Sequence, residues 1–462
     1  AEYMGVKMFR SVIQKQASTA RRLVSGLNSR FFAIRACSSV SSNDSVHELS
    51  GAASASVSFD RSGLYNAPSH FHENSSDSEL VKHLRAIIKF RGGPISVAEY
   101  MGEVLTNPKA GYYINRDVFG TGGDFITSPE VSQMFGELIG VWAVTLWEQM
   151  GQPKKVNLVE LGPGRGTLMA DLLRGISKLK TFTESLSIHL VECSPTLQNL
   201  QRSNLKFLHD DNLVPISWHT SVDEVPSGTP MIIIAHEFFD ALPVHQFQKT
   251  SRGWCEKMVD VCEEGKKFQF VLSNGPSPAS LYLMKRMKWM KKEEAENLKE
   301  IEVSAVGMEM ASAIAKRISA DGGGALIIDY GHNNVVKNSL QGIRKHEFVD
   351  VLDEPGTADL SAYVDFEAIR ICAEAVEKVR VHGPITQSQF LGGLGINFRL
   401  ESLMQRCTDE QAESMQIGYW KLVGDGTAPF WEGPDDRSPV GMGSRYVVMA
   451  IVNEKYDSPV PF

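Results

Sequence analysis

The apolar run Val156-Asn157-Leu158-Val159 passes directly into Glu160-Leu161-Gly162-Pro163-Gly164-Arg165-Gly166-Thr167, and residues 168–176 beyond it have helical spacing. The pattern reads as strand, glycine turn, helix. Such a turn lets a ligand lie against bare backbone, while the helix N-terminus behind it supplies N–H groups with no partner inside the helix. The composition of the turn narrows the ligand. A dinucleotide fingerprint wants its third glycine three residues after the second, where Thr167 stands. The third glycine instead comes early, at Gly166, and Pro163 removes an amide from the part that would cradle a pyrophosphate. A carboxylate at Glu160 suits a ligand carrying positive charge. A nucleotide enzyme and a purely structural turn stay open on these residues alone.

Apolar segments at 156–160, 187–192, 216–219, 231–235 and 325–330 alternate with helical ones, which predicts an α/β, doubly wound, mostly parallel sheet. Between the fourth and fifth lies an antiparallel β insertion over 244–272, with Gly253 and Gly265 at its turns, followed by a charged helical insertion at 281–299. Helices near 366–378 and 387–404 and a closing strand at 445–452 complete a core of 151–452, with a tail at 453–462. Ahead of the core, helices are expected from Ser78, over 97–105, and from Pro129 with Ser128 as N-cap, forming a helical cap over 78–150.

The chain has 462 residues, 42% hydrophobic and 22% charged, ample for a large core with insertions. A net charge of −8 and a pI near 5.9 argue against a general nucleic-acid binder, and no apolar run reaches the length of a membrane span. Six cysteines without a Cys-x-x-Cys pair read as reduced thiols, with Cys193 and Cys255 expected in the core. From Tyr3 to Asn43 there is no acidic residue, while Lys7, Arg10, Lys15, Arg21, Arg22, Arg30 and Arg35 are spread among Ser, Ala, Leu and Phe. Residues 1–43 therefore read as a mitochondrial transit peptide, a plastid leader or a plain basic tail being the alternatives, and 44–77 as a disordered linker.

The turn resembles motif I of class I S-adenosylmethionine-dependent methyltransferases, whose cofactor carries an ammonium and a sulfonium. Glu192, closing the second strand, is placed to hydrogen-bond ribose hydroxyls. The fourth strand runs into His236-Glu237-Phe238-Phe239-Asp240. A zinc-hydrolase reading fails because Asp240 stands where a second histidine is needed. Glu237 and Asp240 instead offer carboxylates at the ligand-binding edge of the sheet, with simple capping as the bland alternative. The upstream Gly120-Thr121-Gly122-Gly123 turn leads to Thr127 and Ser128, either of which suits the cofactor's carboxylate.

Four motifs in order, 123–130, 159–168, 236–243 and 355–360, resemble the MidA family of mitochondrial protein arginine methyltransferases that assist assembly of respiratory complex I. The match spans 78–452. It implies symmetric dimethylation of an arginine in the core, hydrogenase-related subunit of the peripheral arm near the quinone site, in the mitochondrial matrix. It carries Asp124, Thr127, Ser128, Glu160, Gly162, Gly164, Gly166 and Glu192 to the cofactor, with His236 beside them. Glu237 also borders the cofactor and, on chemical grounds, is the first choice to pair with the acceptor guanidinium, Asp240 the second. A non-catalytic assembly chaperone and a small-molecule methyltransferase are the competing classes; the cap and the β insertion favour a macromolecular acceptor.

Overall fold

The computed structural model describes residues 77–114, 126–206, 214–262, 267–405, 407–424 and 441–462. Its frame is a mixed sheet in the order Val379–Thr386, Tyr446–Asn453, Gly323–His332, Met231–His236, Val156–Leu161, Leu186–Val191, Ile216–His219. The last five run parallel, and Tyr446–Asn453 is antiparallel to both its neighbours. Successive residues of each central strand feed opposite faces: Val156 and Leu158 enter one core cluster, Val159 and Leu161 the other. Burial on both faces explains why these strands read as unbroken apolar runs. The chain starts the sheet at Val156–Leu161, steps outward to Ile216–His219, and returns to Met231–His236 on the other side of its first strand. The order reverses there, so Leu161 and His236 end their strands on either side of the crevice where open α/β sheets bind ligands.

Helix Gln133–Gln149 packs on helix Thr167–Ile176 as part of a sheet-covering layer. The approach is so close that a Cβ on Gly136 would lie 2.6 Å from Cβ of Asp171. Helices Glu79–Arg91 and Val97–Thr106 share a separate core with a second, antiparallel sheet, joining Leu84, Tyr100 and Met101 to Val244 and Val259. That sheet holds the expected insertion strands, observed as His245–Thr250, Gly253–Val261 and Phe268–Leu272, and adds Ile95–Ser96 and Glu300–Val303.

Several elements differ from expectation for local reasons. The helix expected from Pro129 is two helices. Thr127, not Ser128, caps Ser128–Val131, and Ser132 leaves helical geometry to cap Gln133–Gln149, its Oγ accepting from Met134 N at 3.3 Å. The span 387–404 divides at Gly395, where φ is +91°. Strand Val379–Thr386 escaped notice because Gly383 and Pro384 interrupt it; it is an edge strand with a register shift between His382 and Ile385. Among the described residues no helix is long and apolar enough to cross a membrane, and no group of His, Cys, Asp or Glu is arranged to hold a metal ion.

Candidate functional site

A cavity of about 1040 Å³ opens at the sheet's crevice, with Thr127, Glu160, Gly162, Gly164 and Glu192 at one end and Tyr330, Phe348, Asp359 and Tyr363 at the other. The first end is built on the glycine turn. Gly162 has φ of +62°, and a Cβ there would stand 3.0 Å from the Phe238 ring. Gly164 also has positive φ; Gly166, at +80°, caps helix Thr167–Ile176 and lies against Gln201 behind the turn. Glu192 accepts from Ser194 N at 2.8 Å and from Gln201 Nε2 at 3.3 Å. The same Gln201 amide donates to the carbonyl of Gly164 at 2.8 Å, and Trp218 Nε1 donates to its oxygen at 3.0 Å. Gln201 thus ties Glu192 to the turn. Nothing in its helix, Pro195–Asn204, distinguishes it in sequence.

Glu160 is buried, and its Oε2 has no hydrogen-bond partner within the protein. Burial, reinforced by the nearby Glu192, pushes its carboxyl up to about 8. Glu192 is pushed up to about 7 by burial, with Ser194 and Gln201 pulling the other way. A buried acid in this state fits a cationic group arriving from the cavity.

Thr127 is on the cavity wall, whereas the Ser128 hydroxyl faces Gln387 Oε1 at 3.5 Å, behind it. Ser128 reaches the site through its backbone N–H, which faces Glu237. Arg165 of the turn is held 3.6 Å from Glu130. Asp124 lies outside the described residues. Cys193 is exposed on the cavity wall, a correction to its expected core position; burial of the thiol lifts it to about 11, so it stays protonated. Cys255 is in the core as expected.

At the end of the neighbouring strand, His236 packs 4.9 Å from the Phe135 ring, and burial alone lowers its imidazole to about 3, so it is neutral. Its Nε2 approaches Glu237 Oε1 to 3.3 Å without the alignment of a hydrogen bond. Glu237 has φ of +48°, an uncommon conformation for a residue with a side chain. Glu237 N donates to the Ile328 carbonyl at 3.0 Å, and the turn after it closes on Asp329, whose Oδ2 accepts from the successive backbone N–H groups of Phe238 (3.2 Å), Phe239 (2.9 Å) and Asp240 (3.2 Å). One fully buried carboxylate winds the turn that carries both candidate acids. The sequence reading saw Asp329 only as the end of a strand; its contacts span some ninety positions of chain.

Burial is the largest influence raising Glu237, Asp329 and Asp240, the last to about 6; repulsion from neighbouring acids adds to it at Glu237 and Asp329, while hydrogen bonds from Tyr330 and nearby backbone pull Asp240 the other way. The Tyr446 hydroxyl faces Glu237 and the Tyr330 hydroxyl faces Asp240. Tyr113 donates to Asp359 Oδ1 at 2.7 Å, placing a further acid from the 355–360 motif on the same wall. Among the described residues, no lysine or arginine pairs with Glu237 or Asp240.

The sheet order, the glycine turn at its crevice and the buried acids facing it define a class I methyltransferase fold that uses S-adenosylmethionine. Residues 138–385 match the family described as "putative S-adenosyl-L-methionine-dependent methyltransferase", and the chain belongs to that family. It is 44% identical over 398 residues to the Danio rerio mitochondrial protein arginine methyltransferase NDUFAF7, covering 82% of this chain and 88% of that protein. To the Homo sapiens protein of the same name it is 37% identical over 424 residues, covering 87% and 90%. These relatives bear out the resemblance read from the four motifs. A Burkholderia thailandensis structure bound to S-adenosyl-homocysteine shares the fold at a TM-score of 0.65 and 24% identity, covering 82% of this chain and 92% of its own. The residues present fit the cofactor: the orphaned Glu160 oxygen suits its ammonium, and the side-chain-free face of Gly162 leaves room for it beside Phe238.

Proposed function

We propose that this chain is a mitochondrial protein arginine methyltransferase that symmetrically dimethylates an arginine of the core, hydrogenase-related subunit of complex I, near the quinone site, during assembly in the matrix. One observation carries the acceptor chemistry: the half-buried Glu237 and the buried Asp240 are carboxylates facing one cavity, unpaired by any cation among the described residues. A guanidinium is the cation that two such acids hold in a fixed fork. The motifs at 123–130, 159–168, 236–243 and 355–360, the names of the relatives, and the acid-free segment before Asn43 support the subunit and the compartment.

S-adenosylmethionine supplies a methyl group activated on a cationic sulfur. The chain's own task is alignment, because an in-line displacement depends on how nucleophile and leaving group are held. Glu160 and Glu192, with Thr127 and the glycine turn, hold the cofactor at one end of the cavity. Glu237 and Asp240 orient the guanidinium at the other, localising its charge away from the attacking nitrogen. The neutral His236 adds no positive charge between them. Asp240, whose carboxyl lies near 6 before a cation binds, suits taking the proton released on methylation.

The test is peptide mass spectrometry of complex I subunits from cells with and without this protein. A dimethyl increment on one arginine, absent without the chain and restored by it, is expected. Assembly rescued by a transfer-dead variant with no such increment would make the chain a chaperone instead.

A further inference from the structure

Three short strands, Gln341–Arg344, Glu347–Val349 and Asp359–Ser361, form a small sheet beside the acceptor end of the cavity. Its register sets Phe348 opposite Ile343 and Ile343 opposite Asp359, with Gln341 opposite Ser361. Residues directly opposite in a sheet share a face, and all five line the cavity. One row thus runs from a buried acid through an aliphatic side chain to an aromatic one that is 77% exposed.

That exposure is held in place. The strands Gln341–Arg344 and Glu347–Val349 meet through a tight turn with both Lys345 and His346 at positive φ, the geometry that matches hairpin twist. Arg344 spans from Asp353 (3.0 Å) to Glu354 (2.7 Å) and Thr357 (2.8 Å). Tyr100, buried in an N-terminal helix, donates to the carbonyl of Val351 at 2.7 Å, and Tyr113 anchors Asp359. A hairpin fixed this firmly at its base, presenting an exposed aromatic from its second strand at the cavity, is preorganised for a partner.

We propose that Phe348 and Ile343 form a docking rim for an extended segment of the acceptor protein, receiving an apolar side chain two or four residues from the arginine that enters the cavity. The spacing follows from the row: two strand separations place Phe348 about 10 Å from Asp359, an extended chain advances about 3.3 Å per residue, and only alternate side chains share a face. The sign of the rim agrees, since the exposed Glu347 and Asp350 flank Phe348 and the acids lie within, while Lys345 and His346 sit on the turn itself. Phe348 is therefore a specificity-determining residue that meets the acceptor away from the transferred methyl. The proposal rests on the arginine-methylating reading above.

The experiment measures arginine methylation of the purified hydrogenase-related subunit, taken from cells lacking this protein, by the full chain and by Phe348→Ser and Phe348→Leu. An exposed residue tolerates both changes in the fold. Phe348→Ser is expected to raise KM for the subunit about tenfold with kcat and cofactor affinity held, and Phe348→Leu to restore most of the loss. A parental KM in Phe348→Ser, or a fall in kcat at unchanged KM, overturns the docking rim. If the parent chain leaves every arginine of the subunit unmethylated, the arginine reading itself falls, and the rim with it.

Discussion

The two ends of the cavity are built in different ways. At the cofactor end, Glu160, the glycines and the helix that follows are neighbours in sequence, and the acids stand at the ends of adjacent parallel strands. At the acceptor end, Glu237 and Asp240 depend on Asp329 from another strand, on Tyr446 from the closing strand, and on Asp359 with Tyr113 from opposite parts of the chain. Local chemistry fixes the first; tertiary contacts and a strained backbone fix the second. On the proposed roles, cofactor binding and acceptor orientation rest on separate supports, so substitutions should separate them too.

The largest expected effect is at the local end. Gly162→Val places a β-branched side chain at φ of +62° and against the Phe238 ring, and should weaken S-adenosylmethionine by roughly a hundredfold or more. Calorimetric titration of the folded variant checks this; parental affinity would remove the turn from the cofactor site. Glu237→Gln tests the far end, keeping the shape and removing the charge. Turnover should fall by roughly tenfold to several thousandfold, about 1.4 kcal/mol for each factor of ten, while cofactor affinity holds. Near-parental single-turnover transfer would shift the orienting role to Asp240, and loss of cofactor affinity would move Glu237 to the cofactor's side.

Asp329 tests how far the second end depends on its scaffold. Asp329→Ala leaves three backbone N–H groups without an acceptor, each loss costing roughly 1–3 kcal/mol, and should lower both thermal stability and kcat. Asp329→Asn retains an acceptor oxygen and should recover much of both. If the two variants behave alike, the acceptor oxygen at position 329 is not what holds the turn.

The same division explains what could be read from the sequence. The turn at 162–166 and the strand-end acids Glu160 and Glu192 were legible because strand, turn and helix are consecutive and each residue type has a local reason to be there. Glu237 and Asp240 were legible as acids at a strand end, but not the left-handed backbone at Glu237. The turn beyond it is held by Asp329, ninety positions away, and no local pattern announces that contact. Gln201 was missed for the same reason: its hydrogen bonds join three separate strand ends, while its own helix is polar and ordinary. The capping residues near 127–132 were misassigned because Thr, Ser and Ser all suit a cap, and packing chose two of the three.

The smallest predicted effect, and the one that best sharpens the contrast, is in pH. Burial raises the folded Glu160 carboxyl from 4.5 to about 8. In the cofactor-free protein this acid therefore disfavours the folded state increasingly as pH rises from about 4.5 to about 8, and by a constant amount above that. Binding a cationic cofactor group reverses the preference, because the ionised carboxylate is then the favoured form. At pH 7 binding must release a proton from Glu160; above 8 the site is already ionised. Affinity for S-adenosylmethionine should strengthen from pH 7 towards pH 8, as Glu160 ionises, and fall again above that, as the ligand's α-ammonium, ordinarily titrating at roughly 7.7–8.0, loses its own proton. S-adenosyl-homocysteine, which lacks the sulfonium but keeps the ammonium, should follow the same curve if Glu160 serves the ammonium. Titrations in two buffers of different ionisation enthalpy would count the proton directly. Glu160→Gln should remove the larger part of the proton release and leave the shallower dependence due to Glu192, whose carboxyl is raised to about 7, while Glu237→Gln should leave both in place. A pH curve that moved with Glu237 instead would mean that the two ends of the cavity are electrostatically one site.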